Sequence, residues 1–567
     1  MASSLPKEKG TEMSEKQHLP VHRSTPHTII SICMATAMII LPAIYSHISQ
    51  LTLSPVYGSV PASSFHRPGI MIAALIGWVG MDRINTSNPR MPTDVLPVLA
   101  WTIPTIQYFL FQYSTQLGPV IGPLVTESCT LYPLVSLSAA AAVYCLKGID
   151  LSHGSRLMAN HGKFIGSYIL FTSAIKVAGD HLPRYLGLGI LMTRTGLQFV
   201  IATFYSIFLP SKWLLFAIPS LLFSASYNVH VPSGPTTARL NSNLQTENYV
   251  LLHRQDSLTG YISVLESKEP NFRVMRCDHS LLGGEWIPPP GAPKQRIRDP
   301  IYAVFTMLEA VRLIETGSRK PRNGGLGTNA LVIGLGIGTT PAAFVAHGIN
   351  TTVVEIDPAV YELATRYFGF PGEAIPKIED AVNFVQRSRN AEPPQQYDFI
   401  VHDVFTGGVE PAELFTLEFM QGLHALLKDD GAIAINYAGD LNLPSAGLIV
   451  RTILAAFPSC RVFREGEPSG DTDVDFTNMV VFCKKTKSSL QFRKPTKADY
   501  LGSRSRESYM FPRHEIGKKA FEKNHSKIPE ILVKEQIHHL HSWHSKSAVG
   551  HWKIMRTVLP ASVWEQW

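Results

Sequence analysis

At 567 residues the chain is too long for one compact domain, and its 17% charged residues and mean hydropathy of +0.06 fall short of the roughly one-quarter charge of ordinary soluble proteins. The net charge of +7 does not describe a basic body: residues 484–567 alone hold 17 Lys/Arg against 7 Asp/Glu, a balance of +10, which argues against a nucleic-acid-binding body. Six cysteines without a CxxC pair indicate neither a disulfide framework nor a zinc centre.

Residues 1–27 are polar and mixed in charge, which predicts a disordered tail rather than a signal peptide. Residues 28–230 read as an α-helical multi-span membrane domain. Its apolar stretches lie at 28–46, 69–81, 95–113, 121–146, 164–177, 186–209 and 213–227. A span needs about 20 apolar residues; the first, third, fourth and sixth stretches suffice and the others are short. Lys7, Lys9, Lys16 and Arg23 in the tail, then Arg83 and Arg90, Lys147, Arg156 and Lys163, and Lys212 fall in alternate connections. The positive-inside rule therefore places the N-terminus in the cytosol. The last stretch, broken by Pro219, is read as re-entrant or interfacial. Six spans then leave the C-terminal half cytosolic, anchored to a lipid bilayer. Glu127, Lys176 and Arg194 lie in or beside spans, where charge is expensive; they are expected to pair or to mark a pathway.

Beyond Pro235 the pattern changes. Residues 240–300 form a small antiparallel β domain, with strands at 248–253, 260–266 and 271–277 and a stiff Pro288–Pro293 loop. Residues 301–485 form an α/β Rossmann-like domain: a helix at 302–316, a flexible joint at Gly324–Gly327, then alternating strands and helices that imply a parallel sheet. Strands are predicted at 330–334, 351–356, 398–402 and 432–437, with a weak one before Glu379-Asp380, and an antiparallel pair at 461–465 and 478–483 closes the sheet.

Gly334, Gly336 and Gly338 follow the first strand, where bare backbone and the amides of a helix N-terminus approach a ligand closely. Glu355, about 20 residues on at the end of the second strand, is placed to accept both ribose hydroxyls. Asp380, one strand further, is placed so that its carboxylate or adjoining backbone meets an adenine amino group. Together with an Asp ending the fourth strand and the closing hairpin, this favours an S-adenosylmethionine-type ligand over NAD. The basic tail 486–567 holds His538, His539, His541, His544 and His551 without fixed ligand spacing, so no metal site is predicted and the histidines are expected to be solvated and weakly ordered. Trp543, Trp552, Trp564 and Trp567 are expected to anchor at a membrane face or to pack on the body.

The runs Leu331-Val332-Ile333-Gly334-Leu335-Gly336-Ile337-Gly338, Val354-Glu355-Ile356-Asp357-Pro358, Tyr397-Asp398-Phe399-Ile400-Val401-His402-Asp403, Leu414-Phe415-Thr416-Leu417-Glu418-Phe419 and Leu427-Lys428-Asp429-Asp430-Gly431 resemble the spermidine synthase family and its class I methyltransferase relatives, in a membrane-fused branch. The resemblance covers residues 249–485. It implies that Asp403 serves as general base or as electrostatic partner of the sulfonium, with Asp278 and Asp299 near the acceptor. The second acid of the aminopropyltransferase motif is missing from Asp403-Val404-Phe405-Thr406-Gly407, and both glutamates of the helix-start motif are missing from Asp299-Pro300-Ile301-Tyr302-Ala303-Val304-Phe305. A diamine needs paired carboxylates, so Val404, Pro300 and Phe305 predict a more apolar acceptor slot. Tyr437, after the fifth strand, is a further expected lining residue.

The expected activity is alkylation of a nitrogen or oxygen nucleophile, such as a small-molecule amine, by S-adenosylmethionine or its decarboxylated form, with methyl transfer favoured. A polyamine aminopropyltransferase is the alternative, and a non-catalytic transporter or sensor keeping the nucleotide fold is a second. No nucleic-acid partner is expected, and a homodimer is a candidate assembly.

Overall fold

A computed structural model of the chain describes residues 25–83, 91–147, 149, 156–291, 296–315, 327–404, 409–467, 475–522 and 529–567. Most of the predicted tail 1–27, the Gly324-Gly325-Leu326 part of the joint and the Phe405–Gly407 run lie outside the described residues.

The N-terminal half is helical: α1 (Thr25–Tyr57), α2 (Ser59–Ser63), α3 (His66–Arg83), α4 (Met91–Phe111), α5 (Ser114–Cys129), α6 (Leu131–Leu146), α7 (Arg156–His181), α8 (Arg194–Phe208) and α9 (Ile218–Ser226). Among the described residues, three helical stretches are long and apolar enough to cross a membrane, at 28–57, 91–111 and 114–146. The bundle does not pair its charges as expected. Glu127 meets His66, with Oε1 2.6 Å from Nδ1; Lys176 is exposed; and Arg194 reaches out of the bundle to Asp256 and Asp278.

After α10 (Gly234–Gln245) come four antiparallel strands in sequential order rather than the expected three: β1 (Tyr249–Asp256), β2 (Tyr261–Ser267), β3 (Phe272–Cys277) and β4 (Ser280–Trp286). The β3–β4 turn sets Asp278 at φ 46°, a left-handed conformation that Asp tolerates better than most residues.

The transferase half follows α11 (Ala303–Leu308). Strands β5 (Asn329–Ile333), β6 (Asn350–Glu355), β7 (Ile375–Ile378), β8 (Tyr397–His402) and β9 (Leu427–Asp440) are joined through α12 (Thr339–Ala346), α13 (Pro358–Phe368), α14 (Ala381–Arg389) and α15 (Leu417–Leu426). After α16 (Pro444–Ala456) come β10 (Ser459–Arg464), β11 (Phe476–Lys484), α17 (Arg504–Tyr509) and β12 (His514–Ile516). The sheet order is β12-β10-β11-β9-β8-β5-β6-β7, parallel from β9 to β7 and antiparallel beyond. β8 is buried along its whole length, as an apolar strand covered on both faces must be. Chain order reverses between β5 and β8, so the crevice at their carboxyl ends is where an open α/β sheet binds ligands.

Two expectations give way here. Cys460 and Cys483, directly opposed on β10 and β11, form a disulfide; spacing along the chain carried no sign of it because the partners meet only through strand register. The described residues of the basic tail are packed rather than weakly ordered. The tail supplies β12, α17, α18 (His541–Val558) and α19 (Ala561–Glu565). Arg506 forms a fully buried two-pronged pair with Glu309, and Trp552, Trp564, Trp567 and His551 are all buried. Its basic residues are spread along packed elements.

Candidate active site

A cavity of about 990 Å³ opens at the β5–β8 crevice. Its floor is built by strand ends: Ile333-Gly334-Leu335-Gly336 after β5, Val354-Glu355-Ile356 at β6, Glu379–Val382 after β7, Asp403-Val404 after β8, and Asn436 and Ala438 in β9. Leu281 and Leu282 of β4 and Tyr302 close one wall. Gly58 and Ser59 from the α1–α2 corner, and His551, Ile554 and Met555 of α18, close another.

The glycines divide by role. Gly334 sits at φ 88°, and a Cβ there would lie 2.1 Å from the Asp403 carbonyl oxygen, so only glycine lets the first turn pass beneath the end of β8. Gly336, at φ 55°, has the carbonyl of Leu282 similarly close. Gly338 does not line the cavity; it begins α12 against Phe370, and its part is structural.

Glu355 fits the ribose role. Its Oε2 accepts the Leu335 amide at 3.0 Å and its Oε1 the Asp357 amide at 2.9 Å, which fixes the carboxylate at the cavity edge. Burial pushes its pKa up to about 7, and the amide bonds only partly oppose this. A carboxylate this costly to desolvate, with no cation paired to it among the described residues, is matched by neutral hydroxyl donors. Asp380 caps α14, accepting from the amides of Val382 (3.3 Å) and Asn383 (3.2 Å), so the adenine contact falls to the adjoining backbone. With Gly334, Gly336 and Glu355, these residues fit an adenosyl group.

Asp403 stands at the end of β8, its amide bonded to the Ile333 carbonyl. Its Oδ1 accepts the Asn436 side-chain amide at 2.8 Å, and loss of hydration raises its pKa to about 6, with the Asn436 bond opposing. Asn436, 6% exposed, keeps its Oδ1 without a partner among the described residues. The acceptor end therefore holds one carboxylate, steadied by a side-chain amide, beside the adenosyl end.

Three expected substrate residues lie elsewhere or are otherwise engaged. Asp278 lines the cavity, but its Oδ1 meets Arg194 at 3.0 Å and accepts the Tyr261 amide at 2.9 Å. Asp299 accepts from the Ser503 hydroxyl and the Ser505 amide (3.2 Å), holding the start of α17 outside the cavity. Tyr437 is 2% exposed and packs against Phe415. Strand alternation points it into the core and turns Asn436 to the ligand. Val404 and Phe305 line the cavity, and Glu465, Glu467, Asp475 and Arg464 add charged groups to its lining from the β10–β11 hairpin.

An open parallel sheet with a glycine first turn, a ribose-directed carboxylate on its second strand and an antiparallel closing hairpin defines a class I adenosyl-sulfonium transferase. Residues 325–447 match the spermine/spermidine synthase domain. Over 547 residues the chain is 50% identical to the N-terminal histidine N-methyltransferase of Emericella nidulans, covering 94% of this chain and 97% of that one. The polyamine aminopropyltransferase of Vibrio vulnificus is 35% identical over 108 residues, 19% of this chain and 36% of its own. The solved spermidine synthase of Thermotoga maritima aligns with 42% of this chain and 74% of its own, at 20% identity and a TM-score of 0.31. The chain belongs to the spermidine synthase-like family of class I methyltransferases. It is a transferase whose co-substrate is S-adenosylmethionine and whose transferred group is methyl.

Proposed function

We propose that the chain methylates a nitrogen of the N-terminal histidine of a polypeptide acceptor. The near full-length likeness to an N-terminal histidine N-methyltransferase supports this acceptor. The observation that carries the chemistry is the Asp403–Asn436 pair set beside the adenosyl end of the cavity. S-adenosylmethionine, when bound, supplies an electrophilic methyl group on a sulfonium. Asn436 holds Oδ1 of Asp403, which leaves the other carboxylate oxygen to take the proton released by the acceptor nitrogen. A base with a pKa of about 6 is ionised at neutral pH and close enough to it to work efficiently. Walls contributed by α2, β4 and α18 exclude water and fix the acceptor's approach. Incubating full-length protein with labelled S-adenosylmethionine and peptides that begin with histidine tests the reading. Methylation of such peptides, and not of the same sequence beginning with alanine, is expected; equal labelling of both overturns it.

For localisation we propose a helical half embedded in a lipid bilayer and a transferase half facing an oxidising compartment. The three apolar stretches support the first part. Support for the second is the Cys460–Cys483 disulfide, since such bonds persist where thiols are not kept reduced. This departs from the cytosolic side that the Lys/Arg distribution suggests. The transferase half carries the acceptor sequences Asn350-Thr351-Thr352 and Asn524-His525-Ser526 for N-glycosylation. A mobility shift on glycosidase treatment, lost in N350Q/N524Q, is expected; thiols at 460 and 483 that alkylate freely in intact cells would refute the assignment.

A further inference from the structure

The β10–β11 hairpin brings to the acceptor end a carboxylate that the β8 motif lacks. Glu465 follows β10 and lines the cavity. Its Oε1 accepts the Val304 amide at 3.0 Å, its Oε2 accepts the Asn478 side-chain amide at 2.7 Å, and its own amide donates to the Asn478 carbonyl at 3.0 Å. Three bonds thus hold it in one orientation, and none of them neutralises it. The neighbouring guanidinium is already committed: Arg464 grips Asp475 through both terminal nitrogens, at 3.1 and 2.6 Å. Glu467 adds a second negative charge at the rim. A carboxylate fixed by these bonds on the cavity wall, with no cation paired to it among the described residues, suits a donor-rich cation.

We infer that Glu465 is the binding point for the acceptor's free α-ammonium. This rests on the reading of the acceptor as a polypeptide N-terminus. The charge comes from the residue after β10 and not from the end of β8. That placement selects an unblocked chain terminus over an internal side chain.

The test measures binding to full-length protein in detergent micelles loaded with S-adenosylhomocysteine. The probes are the amide of His-Ala-Ala-Ala and the same peptide beginning with des-amino-histidine. Wild type is expected to bind the first at least tenfold tighter, and E465Q is expected to bring the ratio near one with unchanged S-adenosylhomocysteine affinity. Equal wild-type affinities overturn the inference, as does full discrimination surviving in E465Q. If E465Q no longer binds S-adenosylhomocysteine, the wild-type ratio decides. A wild type that discriminates between the peptides yet methylates neither would count against the proposed activity and not against this subsite.

Discussion

Glu355 couples co-substrate binding to pH. Its carboxyl titrates near 7 because burial opposes the charge, whereas an exposed glutamate ionises near 4.3. Between those values the folded chain holds a proton that the unfolded chain has lost, so Glu355 makes the protein less stable as pH rises through this window. Binding reverses the preference, because two ribose hydroxyls donate to the ionised form. The affinity for S-adenosylhomocysteine should therefore fall up to tenfold per unit below pH 7, and E355Q should bind weakly with that dependence removed; calorimetry at pH 5.5, 6.5 and 7.5 reads both. Asp403 acts on the rate instead. D403N should lower kcat by roughly 10² or more, with co-substrate affinity intact, and wild-type kcat/KM should decline below pH 6, where the base is protonated. A D403N enzyme of normal kcat would remove Asp403 from the chemistry.

Strand β9 marks where the sequence was legible and where it was not. Its apolar run and its place after the fourth strand predicted a core strand, and the glycine turn and Glu355 could be read from spacing alone, because they depend on local backbone geometry. Which side of β9 meets the ligand depends on its neighbours. Ile433, Ile435 and Tyr437 share one core face with Leu331 and Ile400, whereas Ala432 and Ala434 lie with Val332 and Val401 on the other. Asn436 is the polar break in that second, small-residue face, and Tyr437 drew the wrong attention because it is larger. The residues supplied by α2, β10 and α18 were illegible for a different reason: they reach the cavity only through tertiary packing. The disulfide is likewise a product of register. It closes a 23-residue separation between adjacent strands, for which chain entropy gives about 3 kcal/mol. C460S/C483S should thus unfold several degrees lower than wild type, and reductant should lower wild type to match; unchanged melting in both would show the bond to be energetically idle.

The two halves of the molecule meet through buried charge. Arg194, at the start of α8 and fully buried, reaches Asp256 at 3.3 Å and Asp278 at 3.0 Å, while its backbone amide donates to Asp256 Oδ2 at 2.9 Å. Arg276 in β3 donates to the Pro55 carbonyl of α1 (2.6 Å) and to the carbonyls of Val563 and Trp564 in α19. Trp552 of α18 donates to the Val56 carbonyl at 3.0 Å. The helical half, the small sheet and the C-terminal helices are therefore one structural unit around the cavity, whose wall includes Asp278, Gly58 and Met555. Arg194 is the sharpest place to test this, because a buried ion pair costs most when only one partner is removed. R194A strands two carboxylates in a low-dielectric seam and should destabilise the full chain by about 3–5 kcal/mol. It should also raise KM for the substrates, since Asp278 lines the cavity. Adding D256N and D278N to R194A removes the stranded charge and should restore much of the stability, although the seam loses its specific geometry. Thermal unfolding of the three proteins in detergent, read beside methyl transfer, separates the outcomes. If R194A melts with wild type and keeps both KM values, the helical half is an anchor and not part of the catalytic unit.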